Sequence, residues 1–320
     1  MRNALWFLLT LSGASLCFGA EVYPSKTVRV VAPFAPGGGS DLVARATAQQ
    51  ISEQLGKSFI VDNRTGAGGI VGNGIVAKSA PDGHTLLMVN PAFAISPSVA
   101  KSLPYDIARD FAAITEIIRV PSVLVAYPGL NVSTLKDFVA LAQANPGKFN
   151  YGSGGIGGAL HLYTELFKIA AKVDIAHVPY KGGSDNFVAL VAGQVHMAIV
   201  SIPGALPYVN SGRMRALAVT TDGKRALSMP DVPSMSEAGV PGMTIYVWLG
   251  FVGPAGMPKA VVNKLHVEVV RALAVPSLKE MFLAQDAELV GSSPEEFSKL
   301  IRSELQLWAK VVKSAGIGAQ

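Results

Sequence analysis

The sequence predicts an α/β protein of parallel sheets covered by helices, and three observations carry that prediction. Short β-branched runs alternate with amphipathic stretches along the chain, with glycine or proline at the joins. Two glycine-rich loops each sit between a strand-like and a helix-like run: one in VRVVAPFAPGGGSDLVAR, Val28 to Arg45, the other in KFNYGSGGIGGALHLYTELFK, Lys148 to Lys168. Finally, a mature length of about 300 residues is enough for one large or two medium α/β domains.

The first twenty residues carry Arg2, an apolar stretch from Ala4 to Leu11 and small residues at Gly19 and Ala20. This is the layout of a secretory signal peptide, too short in its apolar part to span a bilayer. Cleavage is expected after Gly19 or Ala20. Cys17, the only cysteine, follows Leu16, where a lipoprotein leader would place a small residue. The mature chain is therefore expected to be soluble, with neither disulfide nor thiol nucleophile.

Strands are expected at Thr27 to Ala32, Phe59 to Asp62, Thr85 to Asn90, Val123 to Tyr127 and Asn150 to Gly152. Four more follow, at His177 to Tyr180, His196 to Val200, Ala216 to Thr220 and Thr244 to Val252. Between them Ser184 is expected to cap a helix bearing Phe187, Leu190 and Val191, which Gly193 ends. Near the C-terminus Ser293, Pro294 and Glu296 make a capping box, ahead of Phe297, Leu300, Ile301, Leu305 and Trp308 at helical spacing. With no Gly/Pro-rich linker, two domains would have to exchange chain by crossovers, and Ile117 to Val125 and Ile245 to Gly253 are extended and apolar enough to serve.

Each glycine loop reads as an anion cradle, since bare N–H groups can approach a guest closely while the following helix offers the positive end of its dipole. In the first loop the amides of Ala35, Gly37 and Gly38 carry that reading. Asp41 could bond a ligand hydroxyl, although an acid in a first helical turn is favoured by the dipole anyway. Phe34 and Phe93 could floor a cleft, or belong to the core.

Other chemistries fit less well. Gly152, Gly154 and Gly157 satisfy G-x-G-x-x-G with Asp174 about twenty residues on, but Asp174 precedes its strand instead of ending it, so a dinucleotide site ranks below a carboxylate cradle. No Lys-Ser/Thr pair follows either Gly37 to Asp41 or Gly66 to Gly74, and Ser153 lacks the glycine two residues earlier that a nucleophile elbow needs. None of the five histidines is spaced i, i+4 from another, so no metal or other cofactor is expected. The formal charge of +5 comes from scattered lysines and arginines, which argues against nucleic acid and favours encounter with small anions.

Over nearly all of its mature length the chain resembles the solute-binding proteins of tripartite tricarboxylate transporters, the Bug family. The resemblance is carried by YPSKTVRVVAPFAPGGGSDLVAR, VDNRTGAGGIVGNGIVAKSAPDGHTLLMVN, LPYDIARDF, YGSGGIGGALHLYTELFK, HVPYKGGSDNF, ALVAGQVHMAI, RALAVTTDGKR and WLGFVGPAGMP, in family order. It implies a type II periplasmic-binding-protein fold: two α/β lobes joined by two crossover segments around a central ligand cleft. Residues 21–123 with 245–320 would form one lobe and 124–244 the other.

The implied function is capture of a small organic carboxylate by a periplasmic, monomeric protein that delivers it to membrane permease subunits and catalyses nothing. A secreted sensory module for a membrane signalling partner is the alternative, since both uses rest on ligand-driven closure. By position the carboxylate would meet Phe34 to Gly39 through amides and ordered waters, and its far end Ser153, Gly154, Gly157 and His161. Asn90, Tyr180 and Ser201 complete the expected ligand-binding set. Amino-acid-binding relatives place an aspartate where this chain has Val200, so a ligand without an α-amine is expected.

Overall fold

Strand-forming runs and glycine joins assemble, in a computed structural model that describes residues 23–319, into one continuous sheet shared by two lobes. The expected signal peptide lies outside the described residues. In chain order the first lobe begins with β1 (Val28–Ala32), α1 (Gly39–Leu55), β2 (Phe59–Asn63), α2 (Ile70–Ala77), β3 (Thr85–Val89), α3 (Pro91–Val99) and α4 (Ile107–Asp110). The long strand β4 (Phe111–Ala126) then leads to α5 (Leu135–Ala144), β5 (Phe149–Ser153), α6 (Ala159–Ala171), β6 (Ile175–Pro179), α7 (Gly183–Val191), β7 (Met197–Ser201), α8 (Ile202–Asn210) and β8 (Arg215–Val219). The chain returns along β9 (Tyr246–Pro254) and closes with α9 (Lys259–Leu273), α10 (Pro276–Leu283), β10 (Glu288–Leu289) and α11 (Pro294–Ser314).

The sheet runs β2-β1-β3-β9-β4-β7-β5-β6, with β8 and β10 also paired to β4. Within each lobe the βαβ units are parallel as expected: β1 with β2 and β3, β5 with β6 and β7. The first expected crossover falls within β4 and the second, from its second residue on, within β9, and these strands run antiparallel to each other and to their neighbours, so the sheet is mixed. A strand that carries the chain from one lobe to the other has no helix to reverse it, and its direction follows the crossing. The handover on β4 is abrupt: Pro121 pairs with Tyr246 of β9, and the next residue, Ser122, pairs with Ser201 of β7.

Three buried clusters hold this frame. One fills the first lobe around Val30, Ile51, Leu86 and Val269; a second fills the other lobe around Val125, Leu190 and Val200. The third spans both lobes and is closed by α11. There Trp308 stacks on Tyr163 of α6 with ring centroids 5.4 Å apart, and the Tyr163 hydroxyl donates to the Tyr246 carbonyl of β9 at 3.1 Å. The Ser293 capping box forms as expected, Ser293 Oγ accepting from the Glu296 N–H and the Glu296 carboxylate from the Ser293 N–H. Phe93 is core, edge-on to Phe111 at 5.0 Å, and does not floor the cleft.

Two expectations need correction. The expected strand from Val123 begins instead at Phe111, because the polar residues Thr115, Glu116 and Arg119 that interrupt its pattern find partners on the same strand or at Ser292. Thr115 donates to the Ser292 carbonyl at 2.8 Å, and Arg119 pairs with Glu116 at 2.9 Å. The helix expected to start at Ser184 is capped by Gly182, with Ser184 inside its first turn. The cap also lies close under the second glycine loop, where a Cβ at Gly154 would stand 3.3 Å from the Gly182 and Gly183 backbone.

Candidate functional site: a cleft at three helix N-termini

Both glycine loops are built on one plan. In the first, Gly37 adopts a φ of 80°, Gly38 is the N-cap of α1 without any side-chain cap, and the third helical residue, Asp41, reaches back to accept the Gly37 N–H at 2.9 Å. In the second, Gly157 adopts a φ of 73°, Gly158 is the uncapped N-cap of α6, and the third helical residue, His161, accepts the Gly157 N–H on Nδ1 at 3.0 Å. Each loop is thereby braced from behind. The N–H groups of the first helical turn, which have no intrahelical acceptor, stay available to a guest.

Asp41 is 2 % exposed and also accepts from Arg45 Nε at 2.9 Å and Asn63 Nδ2 at 2.8 Å. Burial would raise its carboxyl, but Arg45, the Gly37 amide and Asn63 together hold it below the usual carboxylate range. Asn63 Nδ2 also donates to the Phe34 carbonyl at 3.1 Å, tying the start of the loop to β2. Asn90 caps α3 through the Ala92 N–H and donates to Ser40 Oγ at 3.2 Å. Ala35, Gly37 and Gly38 are exposed, with Phe34 half-buried beneath them.

Behind the second loop lies an aromatic and polar layer. The rings of His161 and His177 stack with centroids 3.9 Å apart, and His177 stacks on Tyr151 at 4.8 Å. His177 Nε2 lies 2.7 Å from Ser153 Oγ, which also bonds the N–H and carbonyl of Gly155. Tyr151 hydrogen-bonds Glu165, which Lys168 contacts at 2.9 Å. Burial, His161 and Lys168 hold His177 down to about 4, and burial with Lys168 keeps His161 below the ordinary value against the pull of Glu165. Both rings are therefore neutral near pH 7, which leaves His161 Nδ1 free to accept.

A cavity of about 500 Å³ opens between the two loops. Gly39, Ser40, Leu42 and Val43 of α1 line one side and Ala159 and Leu160 of α6 the other. Ser201 and Pro203, at the start of α8, close a third side, and β4 and β9 contribute Ser122, Val120, Val247 and Leu249. Helices α1, α6 and α8 all present N-termini without a side-chain cap to this one space. Among the described residues no acidic or basic side chain lines it. A second cavity of about 490 Å³ lies behind Gly157 and Gly158, against α3.

Of the expected binding residues, Ser201 lines the first cavity and Gly157 the second, whereas Phe34, Ala35, Gly37, Gly38 and Gly154 line neither. The Gly37 N–H is given to Asp41 and the Gly38 N–H to the Ala35 carbonyl, so these two expected amides are already occupied. Asp41, Asn90, Ser153 and His161 spend polar atoms on the loops or neighbouring helices. Tyr180 donates its N–H to the Ser153 carbonyl at 2.9 Å and, half-buried, packs against the second-lobe core. Val200 also faces that core, 2 % exposed, so an acid there would not meet a ligand in this cavity. Sequence reasoning missed Ser40, Leu160 and Ser122. The first two sit in helical first turns and were within reach of the cap argument; Ser122 had no local signal.

A family model described as tripartite tricarboxylate transporter family receptor matches residues 43–317. The BugT protein of Bordetella pertussis is 34% identical over 96% of this chain and 95% of its own. A Rhodopseudomonas palustris protein solved with adipate shares 35% identity over 93% of this chain and all of its own, with a TM-score of 0.78. The MatC protein of Rhodopseudomonas palustris, solved with bound malate, shares 30% identity over 91% of this chain and all of its own, with a TM-score of 0.74.

Proposed function

Because the chain belongs to the tripartite tricarboxylate transporter receptor family, whose members are periplasmic solute-binding receptors and not enzymes, we propose that it captures one small organic carboxylate between its lobes. It then delivers that carboxylate to the permease subunits of such a transporter. The observation that carries this reading is the convergence of three uncapped helix N-termini on one cavity that no basic side chain lines among the described residues. Main-chain N–H groups at the first turns of α1 and α6 hold the carboxylate, directly or through water, and water-bridged contacts tolerate varied ligands. The adipate and malate carried by the two Rhodopseudomonas palustris proteins are carboxylates of this size.

The lobes of this reading are residues 21–123 with 245–320 and residues 124–244, and the change of partner on β4 at Pro121 and Ser122 supports that division. Closure brings the first turns of α1 and α6 toward each other. Asp41 and His161 act from behind, as braces. The ligand bears no α-amine, since an ammonium group would find no carboxylate among the described residues that line the cavity. The protein works as an exported monomer.

Native mass spectrometry of protein purified without added ligand, followed by calorimetry with the recovered compound, tests the reading. Recovery of an organic carboxylate that binds one to one is the expected result; recovery of a nucleotide, or of no compound together with no heat from any carboxylate, would overturn it.

A further inference from the structure

Ser122 is fully buried, yet it lines the cavity and its hydroxyl finds no hydrogen-bond partner among the described residues. Its backbone is satisfied, the N–H donating to Thr220 Oγ1 and the carbonyl accepting the Thr220 N–H, both at 2.8 Å. Only the side chain is left over, and a buried hydroxyl without a partner is costly. Directly across the antiparallel ladder stands Ser201, so the two side chains share one face of the sheet. Ser201 is exposed and is also the N-cap residue of α8, whose N-terminus carries no side-chain cap. Two hydroxyls and a helix N-terminus thus meet where β4 passes from one lobe's sheet to the other's, the kind of switch point at which open α/β sheets bind ligands.

Between this corner and the first turns of α1 and α6 most of the cavity wall is hydrocarbon, Leu42, Val43, Leu160, Val120, Val247 and Leu249, beside the carboxamide of Gln285. A third carboxylate, or a hydroxyl-rich chain, would be desolvated against that hydrocarbon with a single carboxamide to compensate it.

Resting on the carboxylate-capture reading above, we propose that Ser122 and Ser201 with the N-terminus of α8 form a second anchor, which selects medium-chain dicarboxylates. One carboxylate sits at α1 and α6, an unsubstituted hydrocarbon chain covers the apolar wall, and the far carboxylate accepts hydrogen bonds from both serine hydroxyls. The Ser122 hydroxyl gains its missing partner only when such a ligand is bound.

Calorimetry on the full mature chain with adipate, suberate, succinate, citrate and hexanoate tests this. Adipate or suberate is expected to bind tightest, with hexanoate, which has no second carboxylate, at least about tenfold weaker. Ser122→Ala should weaken the preferred dicarboxylate about tenfold and leave hexanoate unchanged, narrowing the gap between them. Ser201→Ala, at an exposed position, should act in the same direction and guards against a folding defect in the first variant. Tightest binding of citrate or succinate would overturn the second anchor while leaving carboxylate capture standing, as would equal losses for adipate and hexanoate in both variants. Failure of every carboxylate to bind would overturn both.

Discussion

Replacing Asp41 with alanine separates a brace from a ligand contact. The carboxylate is 2 % exposed and accepts three hydrogen bonds, from the Gly37 N–H, Asn63 Nδ2 and Arg45 Nε. The Arg45 side chain is 48% exposed, so that pair is worth little to stability. The Gly37 and Asn63 bonds are charge-assisted, each worth about 1.5–3 kcal/mol, and relief from burying a charge offsets part of their sum. A net loss of about 3 kcal/mol follows, or roughly 5 °C in melting temperature for a chain of this size. With Gly37 released, the first turn of α1 loses its fixed shape, and carboxylate affinity should fall about tenfold or more. Thermal melts at pH 7 and calorimetry on the same samples read both effects. Asp41→Asn, which keeps an acceptor for Gly37, should lose less of each. An Asp41→Ala melt within about 1 °C of the parent would refute the brace, and lost binding with intact stability would make Asp41 a direct ligand contact.

Further expectations concern the layer behind the second loop, the crossover and the ligand. Because the folded His177 titrates near 4 and an unfolded histidine near 6.5, the unfolded chain binds more protons between these values; stability is complete above 6.5 and declines as pH falls toward 4. The ceiling is about 3 kcal/mol and the ring's partial exposure leaves about 1–2, so urea titrations from pH 7 to 4 should show this slope and His177→Gln should flatten it. On β9, a Cβ at Gly250 would stand 2.5 Å from both the Thr115 carbonyl and the Phe297 ring, so Gly250→Ala should cost about 1–3 kcal/mol; a melt unchanged from the parent would show that the paired strands yield. Glutamate and aspartate should give no heat in calorimetry at concentrations where a matching dicarboxylate saturates, and tight glutamate binding would contradict an uncharged cavity wall.

Local features were legible in the sequence, and features made by distant pairing were not. The two glycine loops announced themselves because turn, N-cap and first turn are contiguous, and an acid in the first turn was already explicable without a ligand; the contacts of Asp41 with Gly37 and Arg45 fit that simpler account. His161 was harder, since its brace role depends on a nitrogen pointing back four residues and on a neighbour, His177, from the next strand. The first half of β4 was hidden by Thr115, Glu116 and Arg119, whose partners lie on the same strand or as far away as Ser292. Ser122 had nothing around it to mark it, because its significance arises only from pairing with Ser201 across the sheet.

The antiparallel return of β9 also dictates an order of assembly. Strands β5, β6 and β7 find each other within one uninterrupted stretch, whereas Leu87 on β3 must wait for Val252 on β9, and the first half of β4 waits for the same strand. The lobe made of contiguous chain can therefore mature first, and the other exposes two unpaired edges until the last quarter of the polypeptide arrives. A chain cut short before Tyr246 would keep those edges open, the form in which a protein of this design is most prone to aggregate.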